Sequence, residues 1–191
     1  MAHISSIDFN SLAPYWVSVK ESGTQDDRLA VINYGTKIQS TGGNNGAYAH
    51  GFVKGTARGQ FKIQFKLGYS WGWSSLYAAN VATVTQNNTS AAWAYTAGYN
   101  GIGFINNSSN NSFRAYKYVG TTSTELTSAT GLNDVLISVW RDSSNVVYYK
   151  AGSESTVTMG TFADHWCFYQ VAQSPCSTEL ICAHNLSEAA S

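Results

Sequence analysis

Gln60-Phe61-Lys62-Ile63-Gln64-Phe65-Lys66-Leu67 decides the fold. Phe61, Ile63, Phe65 and Leu67 alternate with Gln60, Lys62, Gln64 and Lys66, a period of two that puts every apolar side chain on one face of an extended chain. A helix would scatter the same residues around its axis. One face is therefore destined for a core and the other for water.

The same reading extends outward along the chain. Asp134 to Arg141 (DVLISVWR) and Asn145 to Lys150 (NVVYYK) read as a hairpin, joined by Asp142-Ser143-Ser144, whose side chains cap turns locally. Further strands are predicted at 15–20, 28–33, 47–54, 76–85, 92–96, 101–105, 113–119, 155–161 and 167–172. Aromatic residues make up 14% of the chain and Gly, at 17 residues, far outnumbers Pro, at 2; such a composition favours strands punctuated by turns. Apolar residues at helical spacing never persist for three turns. The expectation is an all-β, two-sheet antiparallel sandwich with little helix, a single domain over 1–191. Residues 1–10 would form an N-terminal strand or arm and 186–191 a frayed tail.

The order of a long amphipathic strand, an aromatic loop, a Gly-aromatic strand and the DVLISVWRDSSNVVYYK hairpin resembles the concanavalin A-like jelly roll over roughly Phe61 to Phe162. That resemblance implies a surface-recognition domain of the kind found in lectins, carbohydrate modules of glycoside hydrolases, and heads of phage and viral attachment proteins. The Asn/Gly/Ser-rich, charge-poor style looks most like the tip of a virion attachment fibre. Its implied location is the virion surface or the extracellular space. The acidic-residue and Asn pattern of the legume-lectin calcium site is missing, so neither metal nor cofactor is carried over.

Charged residues are only 12% of the chain and the formal net charge is zero. Without a Lys/Arg cluster there is no electrostatic footprint for nucleic acid or for an anionic membrane surface. The N-terminus shows neither a basic nor an apolar leader segment, and no stretch approaches the roughly 18 apolar residues of a membrane span, so insertion is not expected.

For ligand binding, Gly68-Tyr69-Ser70-Trp71-Gly72-Trp73-Ser74-Ser75 is the most informative segment. Flat rings beside short polar groups suit a pyranose, whose C–H face stacks while its hydroxyls hydrogen-bond. Tyr69, Trp71 and Trp73 are therefore candidates, joined by Trp93, Tyr95, Tyr99 and Asn100. Asn44, Asn45 and Asn88, from the Asn-rich loops, add amides able to donate and accept at once. Against this, Trp71 and Trp73 could equally plug one end of the sandwich, and Asn and Gly are what tight turns require. One ring covered over about 100 Å² contributes roughly 2–3 kcal/mol at about 25 cal/mol per Å². A millimolar dissociation constant needs about 4 kcal/mol, so useful attachment to a glycan or cell-surface receptor implies several linked copies, a homo-oligomer and by the fibre-tip resemblance a trimer.

An enzyme is not expected. A retaining glycosidase needs two carboxylates about 5–5.5 Å apart, and the acids here are scattered; Asp26-Asp27, the only adjacent pair, would point to opposite faces of a strand. Asp164-His165-Trp166-Cys167 places a His two residues from a thiol, and with Cys176, Cys182 and His184 could in principle ligate zinc, although no C-x-x-C knuckle occurs. Three cysteines make a poor disulfide framework; free thiols are the simpler reading, with a Cys176–Cys182 clip as the alternative. The remaining readings are a structural virion subunit, whose aromatics would be packing surface, and a polysaccharide-cleaving enzyme.

Overall fold

The computed structural model describes residues 16–22, 29–32, 37–40, 48–69, 72–81, 100–109, 111–120, 122–173 and 176–186. Fourteen strands occupy them: β1 (Trp16–Ser22), β2 (Leu29–Ile32), β3 (Lys37–Ser40), β4 (Tyr48–Ala57), β5 (Phe61–Tyr69), β6 (Trp73–Asn80), β7 (Gly101–Asn107), β8 (Ser112–Val119), β9 (Thr122–Thr130), β10 (Leu136–Arg141), β11 (Val146–Ala151), β12 (Val157–Thr161), β13 (Trp166–Gln173) and β14 (Cys176–His184). All described pairings are antiparallel and form two seven-stranded sheets. The first runs β12-β11-β10-β5-β14-β3-β2, the second β1-β4-β13-β6-β7-β8-β9.

The period of two read in 60–67 is the register of the first sheet. Phe61, Ile63, Phe65 and Leu67 are buried; Ile137 and Val139 of β10 and Val147 and Tyr149 of β11 lie opposite them on the same face. From the second sheet Leu76, Ala78, Ile102, Phe104, Phe113 and Phe168 meet this face and complete the core. Phe104 sits at its centre, 5.6 Å from Phe65 and 5.3 Å from Tyr149, the latter edge-on, the arrangement that sets the positive rim of one ring against the face of another.

Three strands escaped the sequence reading. β9 is mostly exposed and Thr/Ser-rich, so its edge position rests on its ladder to β8 rather than on an apolar face. β14 is central, paired to both β5 and β3, yet its alternation is broken by a bulge between Leu180 and Cys182. The bulge turns Ile181 out, 39% exposed, and returns Ala183 to the core. β3 is only four residues long.

Boundaries differ as well: β4 runs on to Ala57 and β6 already begins at Trp73. Asp134 and Val135 precede the strand, in a turn where Asp134 adopts φ 57 and its N–H donates to the Leu67 carbonyl (3.0 Å). Leu186, expected to begin a frayed tail, is buried at 3% exposure in the main core. The predicted strand at 92–96, the arm at 1–10 and the Asp26-Asp27 pair lie outside the described residues.

Candidate functional site

The hairpin β10–β11 builds the site. Asp142 follows β10 and closes the turn with its own carboxylate: Oδ1 accepts from the N–H groups of Ser144 (2.8 Å) and Val146 (2.9 Å), and Oδ2 accepts from the Tyr148 hydroxyl (3.1 Å). Asn145 takes the left-handed φ of 62 that lets the chain re-enter the ladder. The resulting register places Trp140 directly across from Tyr148, rings stacked at 5.6 Å and 20°.

In β10, Ile137, Val139 and Arg141 face inward, so Leu136, Ser138 and Trp140 face outward. Arg141 fixes this orientation from inside. It is 2% exposed, yet four of its N–H groups find main-chain carbonyls: Nε to Gly59 (2.7 Å), Nη1 to Phe162 (3.1 Å) and Asp164 (2.8 Å), and Nη2 to Ala57 (3.1 Å). The guanidinium also lies 5.2 Å from the ring centres of both Phe61 and Trp166. Burial lowers its pKa, with Asp164 opposing that shift. A cation spent in this way ties the β4–β5 turn and the segment after β12 to β10, holding the next residue, Trp140, rigidly outward.

Trp140 forms part of the wall of an open groove of about 570 Å³ on the outer face of the first sheet. Ser138 and Lys62 are its nearest companions, Lys62 being the cross-strand partner of Trp140. Lys150 flanks Ser138 from β11, and Gln60, Asp142, His184 and Asn185 border the same space. An indole held flat against a second ring, beside hydroxyl, amide, imidazole and ammonium groups, offers one apolar plate and several donors.

The opposite outer face carries a different cluster. Tyr77, Tyr118, Tyr169 and Cys167 are buried there, with Tyr77 stacked on Tyr169 at 5.2 Å and Trp73 packed at the margin. Gly103 lies beneath this ladder; a Cβ there would come within 2.6 Å of the Tyr77 ring and 3.0 Å of Tyr118.

The predicted site residues separate in consequence. Trp73 begins β6 rather than lying in a loop, is half-buried, and packs on this second cluster, across the sandwich from the groove. Tyr69 ends β5; its hydroxyl donates to Asn111, and its main chain exchanges two hydrogen bonds with the Asn133 amide (2.9 and 3.2 Å). Asn100 is exposed and accepts from the Gly120 N–H (3.3 Å), bracing a turn. Trp71, Trp93, Tyr95, Tyr99, Asn44, Asn45 and Asn88 lie outside the described residues. Trp140 was missed because it sits inside a strand that reads as core. The signal was there: Ile137 and Val139 take the buried phase, which leaves Trp140 on the other.

The cysteines are free and buried. Cys167 and Cys182 lie on opposite outer faces, so they cannot share one metal ion: Cys167 packs among tyrosines, whereas Cys182 donates to Gln64 Oε1 (3.0 Å). Burial pushes the Cys167 thiol up to about 12, the wrong direction for a nucleophile. His165 pairs through Nε2 with Thr56 Oγ1 (2.8 Å), and Asp164 accepts from Asn80 (2.9 Å).

No protein-family model matches the chain, and no curated protein matches it in sequence. Solved structures do match in fold. The exoplasmic/lumenal domain of VIP36 in its Ca2+/Man3GlcNAc-bound form has a TM-score of 0.51 at 10% identity, covering 91% of this chain and 86% of that one. The carbohydrate-binding module CBM66 from Bacillus subtilis has a TM-score of 0.50 at 7% identity (91% and 97% covered). A β-glucanase of Bacillus licheniformis matches at 0.50 and 8% identity (89% and 92%). The fold is thus a two-sheet antiparallel β-sandwich of the concanavalin A-like jelly-roll kind. At these identities the likeness is one of fold, and the function must be argued from this chain's own residues.

Proposed function

We propose that this chain is a glycan-recognition domain whose saccharide lies in the outer-face groove against Trp140. The observation that carries the reading is the Trp140–Tyr148 stack, which holds a half-buried indole on the polar face of a sheet, where no core requires it. A half-buried flat ring fixed by a neighbour keeps little conformational freedom to lose, and ligand C–H faces stack on the open part of such rings. Ser138, Gln60, His184 and Asn185 then supply hydrogen-bonding groups at the same surface. The fold's occurrence in a Ca2+/Man3GlcNAc-bound lumenal domain and a carbohydrate-binding module is consistent with this use.

Binding without cleavage is the form we favour. Three of the described carboxylates are engaged in structural contacts: Asp142 closes its turn, Asp164 accepts from Asn80, and Glu125 meets Arg114 and Tyr116. The finer reading, a head of a viral or phage attachment protein acting as a homo-oligomer at the virion surface, rests on the charge-poor composition and on avidity. One ring and a few hydrogen bonds reach only about millimolar affinity, which linked copies would raise.

The test is a glycan array probed with the multivalently presented domain, alongside Trp140→Ala and Trp73→Ala. Loss of binding in folded Trp140→Ala with retention in Trp73→Ala is expected. Loss confined to Trp73→Ala would move the site to the other face, and silence across the array with all three proteins would sink the glycan reading.

A further inference from the structure

The groove is electrically lopsided in a chain whose net charge is zero. The outer face of the first sheet bears Lys62, Lys66, Lys150 and Lys37, against Glu179 and the turn carboxylate Asp142. Glu179 lies in register between Lys66 on one side and Lys37 on the other, so its charge falls beside those two lysines rather than beside Lys62 or Lys150. Asp142 is held at the turn, its oxygens accepting the hairpin's own hydrogen bonds, and among the described residues it forms no ion pair with a lysine of the groove. Lys62 and Lys150 remain. Both are exposed, and among the described residues neither makes an ion pair.

Their placement is set by the ladder. Lys62 pairs with Trp140, and Lys150 pairs with Ser138, two residues along and on the far side of β10. With strands about 4.8 Å apart and two residues rising about 6.7 Å, the two Cα atoms lie about 12 Å from one another, diagonally across the Trp140–Ser138 floor. The arrangement is an apolar plate between two cations. A neutral sugar would use the plate and accept hydrogen bonds from the ammonium groups, but it would leave their charge unanswered.

Resting on the glycan reading of this groove, we infer that its ligand is an acidic oligosaccharide, bearing carboxylate or sulfate groups on either side of the ring seated against Trp140. Lysine ammonium groups act as point charges and serve either anion. Both are solvent-exposed, so the preference they confer is screened by salt, the Debye length shrinking from about 10 Å at 0.1 M to about 3 Å at 1 M.

The experiment titrates the domain with three oligosaccharides of equal length, one neutral, one a uronate and one sulfated, at 50 mM and 500 mM NaCl. Wild type is compared with Lys62→Gln, Lys150→Gln, the double variant and Trp140→Ala, with circular dichroism confirming each fold. At low salt at least one acidic ligand should bind tenfold or more tighter than the neutral one. The double variant and high salt should each erase that preference while changing neutral binding less than twofold. Preference for the uronate alone or the sulfated sugar alone supports the inference and names the anion. Equal or tighter binding of the neutral sugar, or a preference surviving in the double variant, overturns it while leaving the glycan reading intact. Failure of all three ligands against wild type removes both.

Discussion

Replacing Arg141 by Met tests the account of how the site is held. Met fills much of the same volume and keeps contact with Phe61 and Trp166, but it leaves the carbonyls of Ala57, Gly59, Phe162 and Asp164 without their donor. Hydrogen bonds from a charged group contribute about 1.5–3 kcal/mol each, a gross loss of about 6–12 kcal/mol for four. Removing a buried cation also abolishes its desolvation penalty, which returns several kcal/mol. The expected net loss is about 3–5 kcal/mol. For a domain of this size that corresponds to about 6–20 °C in Tm, at about 2–4 °C per kcal/mol. Urea unfolding followed by circular dichroism measures it directly, and the m-value should stay constant if the native and denatured states remain comparable. Arg141→Lys should recover only part of the loss, because three donors on a flexible stem cannot reproduce a planar fork that serves four carbonyls. A loss below about 1 kcal/mol for Arg141→Met, or a Lys variant indistinguishable from wild type, would refute the clamp.

Gly103→Ala should destabilise by about 1–3 kcal/mol in the same assay, since the new Cβ meets the Tyr77 ring at 2.6 Å and Tyr77 is backed by Tyr169; an unchanged midpoint would mean that the tyrosine ladder yields freely. The Cys167 thiol, raised from 9.0 to about 12 in the folded chain, contributes stability that is whole below pH 9 and drains away between pH 9 and 12, by about 1.4 kcal/mol per pH unit. Comparing the alkaline stability of wild type with Cys167→Ala isolates that slope, and parallel curves would contradict it. Cys167 should also resist a thiol-reactive disulfide reagent at pH 8 until the domain is denatured; rapid native labelling would show that the second cluster opens.

What the chain announces locally is its pattern. Phe61-x-Ile63-x-Phe65-x-Leu67 can only be a strand with one buried face, and the hairpin at 134–150 follows from two such runs around Asp142-Ser143-Ser144. Composition carries that to a two-sheet sandwich, because many short strands with one apolar face each must bury those faces against one another. Strands whose stability comes from neighbours left weaker traces. β9 has no apolar phase of its own, and the β14 bulge shifts the phase midway, so period-two reading fails on both.

The site was legible by residue type but not by place. Clustered rings at 69–73 and 93–99 drew attention because adjacency in sequence is visible, whereas the groove is assembled from β5, β10, β11 and the end of β14, brought together only by the ladder. Which side of the sandwich Trp73 and Trp140 occupy depends on strand order and register across sheets, and these are decided by long-range pairings such as Lys62 with Trp140 and Trp73 with Asn107. Such pairings leave no local mark because a strand's hydrogen-bonding edges are chemically alike whatever its partner. Only when the sheets close do a buried arginine, a stacked indole and two exposed lysines become neighbours.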